Sequence, residues 1–252
     1  MRRLLIITAV MSLAGAGIAS AAGGGTATVT LTPSTASAPA GIAISLAGLS
    51  GNSGLPSSVA VLLQPGFTAS ARSLPVLCTA QQSQSNGCPS TTQIGTGSVG
   101  ATFLGESLTV PINLFLAAPV EPGDIAAVIL SGTLDGINLT ISGRLFVPAQ
   151  GGLELLLSSF PSEPVTLDSL TLSGQASQTV TTTVIKRVTK TITTGKGKHK
   201  HKKKIKKKVK KTIKTVYSLI TNPSTCTGAW TGTATLTYSS GTYALPFSVA
   251  CT

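Results

Sequence analysis

The chain reads as an all-β protein. The expected architecture is an antiparallel β-sandwich, of one unit or of two packed β units, with a long cationic β-hairpin arm or a disordered basic insertion. Three observations predict this. Apolar and polar residues alternate with period two in many short runs, as from Ile137 through Leu139, Ile141 and Leu145 to Val147. Gly and Pro clusters punctuate the runs at Gln64-Pro65-Gly66, Glu121-Pro122-Gly123, Gln150-Gly151-Gly152 and Pro161-Ser162-Glu163-Pro164. Every lysine is gathered between Lys186 and Lys214, a window with no acidic residue.

Residues 1–22 fit an export signal. Arg2 and Arg3 form a charged start, Leu4 to Ile18 is apolar or small, and Ala19-Ser20-Ala21 suits cleavage. The stretch is short and weakly apolar for a spanning helix. No Cys follows it for a lipid anchor, and Ala250-Cys251-Thr252 is not an apolar tail. The expected location is secreted or extracellular, with non-covalent cell-envelope association as the further option.

Residues 23–56 form a Gly/Thr/Ala-rich segment, of which about the first 20–25 residues are expected to be partly disordered, with candidate first strands at 28–32 and 42–47. A sandwich is expected over 57–177 and 216–252, with strands at 57–63, 92–104, 108–116, 125–133, 137–147, 153–158 and 166–173. Gly143 suggests a kink in the 137–147 strand. Trp230, Ala234, Leu236 and Tyr238 share one face of a late strand. Tyr243, Leu245, Phe247, Val249 and Cys251 share a face of the last, after a Ser239-Ser240-Gly241 turn. Pro246 cannot donate to a ladder, so this last strand belongs at a sheet edge.

The basic insertion spans 178–215. Thr179 to Thr194 is rich in Thr and Val, which favours strand. On the far side Ile205, Val209, Ile213, Tyr217 and Leu219 share odd parity, with lysines expected on the other face. Ile205, Val209 and Ile213 also recur at i, i+4, so a cationic amphipathic helix competes; β-branching favours the strand. The reading is a hairpin with its tip at Gly195-Lys196-Gly197-Lys198-His199, against a disordered, solvated tract.

An even number of cysteines in an exported chain implies disulfides. Cys78 and Cys88 are ten apart, and Cys226 and Cys251 are 25 apart. Of three connectivities, nearest-neighbour pairing is expected; a metal site would need a tighter Cys spacing. Leu74-Pro75-Val76-Leu77-Cys78, then Cys88-Pro89-Ser90-Thr91-Thr92-Gln93-Ile94-Gly95, and later Asn222-Pro223-Ser224-Thr225-Cys226, a Trp strand and a closing Val249-Ala250-Cys251 carry a resemblance. Over roughly residues 57–252 the chain resembles the uncharacterised secreted β-rich domain proteins of soil actinobacteria. The resemblance implies export, a β-rich fold and two local disulfides, and supplies no catalytic site. The chain departs from that pattern by carrying the basic window where a short Gly-rich turn is expected.

A catalytic reading fares badly, and no enzyme activity, cofactor or metal is expected. His199 and His201 lie in the lysine run, which disfavours a bound cation and supplies no orienting carboxylate. Gly95-Thr96-Gly97-Ser98-Val99-Gly100 matches GxGxxG but precedes a strand-like run, whereas the fingerprint needs a helix N-terminus. Glu121 and Asp124, beside a Pro-Gly turn, read as solvated charges. A hydrolase with a carboxylate pair is the weakest reading, and Asn138-Leu139-Thr140, a glycosylation sequon inside a strand, is uninformative.

The strong functional signal is charge. The window carries +15, and the rest, beyond the leader, carries −5. The expected polyanion-binding residues are Lys186, Arg187, Lys190, Lys196, Lys198, Lys200, Lys202, Lys203, Lys204, Lys206, Lys207, Lys208, Lys210, Lys211 and Lys214. One arginine among them means charge density in place of bidentate recognition. With no aromatic residue in the window, base stacking is not provided. The expected partners are an anionic cell-wall polymer, an anionic lipid surface or extracellular DNA, bound without specificity; no small-molecule substrate is predicted. The alternative is a structural or adhesive surface protein that binds carbohydrate or protein through its β faces, with the insertion only solubilising it.

Overall fold

The computed structural model describes residues 19–20, 25–52, 54–71, 76–85, 87–134, 137–161, 165–194 and 201–252. The expected leader therefore lies outside the described residues except for Ala19–Ser20, and so does the expected hairpin tip at 195–199. Among the described residues sixteen strands follow in chain order. They are β1 (Ala19–Ser20), β2 (Thr26–Thr32), β3 (Gly41–Ala47), β4 (Ser58–Leu63), β5 (Thr68–Ala69), β6 (Gln93–Phe103), β7 (Glu106–Ala117) and β8 (Asp124–Leu134). The remainder are β9 (Ile137–Phe146), β10 (Leu153–Ser158), β11 (Val165–Gly174), β12 (Ser177–Thr194), β13 (His201–Ser218), β14 (Ile220–Thr221), β15 (Ala229–Tyr238) and β16 (Gly241–Ala250).

Twelve strands form one sheet, ordered β1-β2-β3-β11-β6-β7-β8-β9-β10-β4-β15-β16, and every named pairing is antiparallel. The sheet rolls on itself until its last strand lies against β1 and β2. At the seam Thr252 N donates to Ser34 O at 2.9 Å, and Ala36 N donates to Thr252 O at 3.0 Å. The all-β antiparallel fold is the one that the sequence predicts. Its opposed layers are halves of one nearly closed sheet around one main core, not two separately packed units.

Alternation builds this core. Val29, Ile44, Val61, Ile112, Leu170, Leu236 and Leu245 come from seven strands and are all buried in it. The partial disorder expected over about the first 20–25 residues after the leader is corrected: β2 and β3 lie there, with Ala27, Val29, Leu31, Ile44 and Leu46 buried in the core. Pro246 sits on β16, an end strand, as its missing N–H requires. Gly143 makes no kink: β9 keeps its register there, and a Cβ would come within 2.7 Å of Leu157 Cδ2 and 2.8 Å of Leu156 O. In the β8–β9 pair the register shifts instead on β8, between Asp124 and Ala126.

Cys78–Cys88 and Cys226–Cys251 are bonded, and no cysteine is left free. The first bridge closes a one-turn helix, α1 (Ala80–Gln84), over the outer face of the sheet. Cys78, Ala117, Ala127 and Ile129 form a small second core there, so both faces of β8 are covered. This explains why Ile125–Leu130 is a continuous apolar run and not an alternating one. The second bridge pins β16 next to Trp230, whose Nε1 donates to Thr225 O at 3.0 Å and whose ring meets Phe67 edge-on at 5.5 Å.

Candidate functional site

Strands β12 and β13 leave this body as a separate two-stranded ribbon, in unbroken register from Ser177↔Ser218 to Thr194↔His201. Eighteen residues per strand give a reach of about 60 Å. Two-stranded hairpins are marginal alone, so the root matters. It is tied to the body by backbone bonds: Gln175 N donates to Ile94 O at 2.8 Å, Leu219 N to Ala176 O at 3.1 Å and Ser70 N to Leu219 O at 3.1 Å. The buried Gln178 side chain also donates from Nε2 to Thr91 O, beside the Cys78–Cys88 bridge. The helical and disordered readings of the insertion thus give way to paired strands over 177–194 and 201–218.

Register decides what each face carries, because directly paired residues share a face. One face bears Thr181, Thr183, Thr189 and Thr191 on β12, opposite Lys214, Thr212, Lys206 and Lys204 on β13. Ile185↔Lys210, Arg187↔Lys208 and, nearer the root, Thr179↔Val216 lie on it too, with Ile185 and Val216 exposed. The cations at 204, 206, 208 and 210 are alternate residues of one strand, so they repeat every ~6.7 Å. The other face pairs Thr182↔Ile213, Val184↔Lys211, Lys186↔Val209 and Lys190↔Ile205, with Val188 between the last two. The sequence expectation that lysines avoid the aliphatic face is therefore corrected. Lys211 shares the odd parity of Ile205, Val209 and Ile213, and Lys186 and Lys190 arrive on the same face from β12.

This pairing also explains how so basic a ribbon holds together. Like charges directly opposite one another are destabilising. Over 181–191 the described cations face Thr, Val or Ile, except at the Arg187↔Lys208 rung. The ribbon's cations make no ion pair among the described residues, where the salt bridges are those of Arg144. Lys204, Lys206, Lys208, Lys210, Lys211 and Lys214 are all exposed. Lys196, Lys198 and Lys200, expected to bind polyanions, lie outside the described residues, as does His199. Lys202, Lys203 and Lys207 are placed on β13 by their backbone pairing.

The other sequence candidates resolve into structure. The GxGxxG match lies on β6, facing β11. A Cβ on Gly95 or Gly97 would come within 2.1 Å of Ser173 O or Thr171 O, so these glycines permit a close strand approach. Glu121 and Asp124 are not both solvated charges. The Asp124 side chain is wholly buried, and Arg144 meets it from Nη2 at 2.8 Å and from Nε at 3.0 Å. Arg144 Nη2 also reaches the half-exposed Glu121 at 2.7 Å, and the guanidinium lies 5.0 Å from the Phe146 ring. Hydrogen bonding from Arg144 holds the Asp124 carboxyl below the usual carboxylate range. Asn222, in the Asn-Pro motif, donates to Pro33 O and Thr35 O, both at 2.9 Å, and so fastens the chain near the seam.

The two disulfides suit an extracellular or otherwise oxidising environment. Among the described residues no helix is long and apolar enough to cross a membrane. Comparison with protein-family models, with curated proteins and with solved structures finds no match to this chain.

Proposed function

We propose that the protein is an exported, non-catalytic β protein that binds anionic polymers or surfaces through its cationic ribbon. One observation carries this reading: a ~60 Å ribbon holds exposed cations on both faces, without a carboxylate partner among the described residues. Unpaired like charges along the ladder repel one another, and a polyanion removes that repulsion on binding. Lysine supplies charge without the planar fork of arginine, so affinity should track charge density and salt, not sequence.

The test is a truncation that respects the register. Joining Val180 to Thr215 through Asn-Gly closes a short hairpin and removes the cations while keeping the root. Both proteins are cosedimented with cell wall, anionic vesicles and DNA over a salt series. If about eight phosphates of duplex DNA are engaged, log K falls with log[salt] at a slope near −7. The truncation should abolish this binding and leave the body folded. Equal, salt-insensitive binding by both proteins would sink the reading.

A second reading, adhesion through the outer sheet face, is favoured by a shallow groove whose lining includes Thr28, Thr30, Ser45, Thr96 and Ser173 beside Ala43, Ile44 and Leu172. In that case the truncated protein still binds cell-wall polysaccharide.

A further inference from the structure

The two faces of the ribbon are not equivalent, and a soluble polyanion explains only one of them. On the Thr-and-Lys face the cations stand in line, as an extended chain of phosphates needs, and the exposed aliphatics there, Ile185 at 56% and Val216 at 64%, stand six rungs apart and form no stripe. The opposite face carries aliphatic side chains in a zigzag from strand to strand: Ile213, Val184, Val209, Val188 and Ile205. Four of them remain exposed, Ile213 at 39%, Val209 at 44%, Val188 at 47% and Ile205 at 41%. The stripe runs from the Thr182↔Ile213 rung to the Lys190↔Ile205 rung, about 27 Å along the ribbon. Lys186, Lys190 and Lys211 alternate with it. A polyanion in water gains nothing from this stripe.

We infer that this face docks on an anionic lipid bilayer, lying flat at the headgroup boundary. The inference rests on the polyanion-binding reading and specifies its partner. Aliphatic groups interleaved with lysines match the depth profile of that boundary. The methyl groups enter the acyl layer, and the lysine stems lie along it with their ammonium groups at the lipid phosphates. Both edges of the ribbon are unpaired, because β12 and β13 form a sheet of their own. Their free N–H and C=O groups need water or headgroups, so the ribbon lies in the interface and does not cross the hydrocarbon. A second copy packed on the same face would set Lys186, Lys190 and Lys211 against like charges. An anionic lipid surface answers both the stripe and the lysines.

The test compares residues 23–252 with the variant V188T/I205T/V209T/I213T, which keeps charge and β-branching. The ligands are phosphatidylglycerol/phosphatidylcholine vesicles and inorganic polyphosphate. The four changes should weaken vesicle binding by about 100-fold, since each removes apolar burial, and leave polyphosphate binding within about twofold, since the cations stay in place. Unchanged vesicle binding by the variant, or polyphosphate binding without vesicle binding by the parent protein, overturns the inference and leaves the polyanion reading standing. Failure of the parent protein on both ligands overturns the reading beneath it. A second variant, Val209→Trp, keeps the question decidable if the fourfold change disturbs the ribbon. Its emission should shift to the blue on vesicles and be quenched by brominated acyl chains, and a Trp that stays water-exposed on bound vesicles overturns the inference.

Discussion

The body and the ribbon use the same antiparallel ladder and owe their order to different forces. In the body the strands β2–β4, β6–β11, β15 and β16 each turn one face to a shared core, and the long side chains there are almost wholly excluded from water. The ribbon has no core. Its aliphatic residues stay near half exposure, and its order comes from β-branched residues, from a register that keeps cations off one another and from a root tied into the body. The contrast teaches that a side chain's type does not set its contribution to stability. A Val in β4 holds the fold; a Val in β12 is available to a partner.

Core truncation tests that contrast with the largest effect. Trp230→Ala should cost about 3–5 kcal/mol in chemical denaturation, because Trp230 is 1% exposed and packs edge-on against Phe67. Val188→Ala, by the same measurement, should leave the midpoint unchanged. A matching loss at Val188 would mean that the ribbon folds as part of the body.

The disulfides come next. In the chain-entropy account, opening the 25-residue Cys226–Cys251 loop costs about 3.5 kcal/mol and opening the 10-residue Cys78–Cys88 loop about 2.7 kcal/mol. Ser replacements of each pair should therefore lower the stability of the body in that order. The Cys78–Cys88 pair also sits beside the contact that anchors Gln178, so its loss should loosen the ribbon root, read as faster amide exchange at residues 177–180.

Most of the fold was legible before the structure, because period-two runs bounded by Gly and Pro locate strands without knowledge of their partners. What was not legible depends on pairing between distant residues. Arg144 lies 20 positions from Asp124, and only the β8–β9 ladder makes them neighbours. Gly95 and Gly97 look like a phosphate loop until β11 is laid across them. Closure of the sheet depends on β16 returning to β2, from opposite ends of the chain. In the candidate site the charge was plain from composition. The separation into a lysine row and an aliphatic zigzag requires the β12–β13 register.

The buried carboxylate gives a smaller effect. Asp124→Asn should cost about 1.5–3 kcal/mol near neutral pH, the value of hydrogen bonds to a charged group. Since Arg144 depresses the folded carboxyl, its contribution is complete above the unfolded value of about 3.9 and is lost as pH falls through the folded one. Acid titration of the wild-type melting temperature should show this loss below about pH 4, and the Asn variant should lack that part of the slope. An identical acid limb in both would mean that other carboxylates of the body dominate.

The smallest effect probes the ribbon alone. Arg187↔Lys208 is the rung at which two described cations meet, whereas Thr189↔Lys206 and Thr191↔Lys204 on the same face pair a hydroxyl with a lysine. Arg187→Thr extends that pattern, removes one repulsion and inserts a good strand former. Cross-strand pairs are worth about 0.2–1 kcal/mol, so amide exchange over 184–190 and 205–211 should slow by a few-fold while the midpoint of the body stays fixed. The salt slope for polyanion binding should fall by about 0.9, one phosphate contact. Faster exchange would show that the Arg187 stem packs across the ladder and holds it. Part of the ribbon's order would then come from side-chain burial, the force assigned above to the body alone.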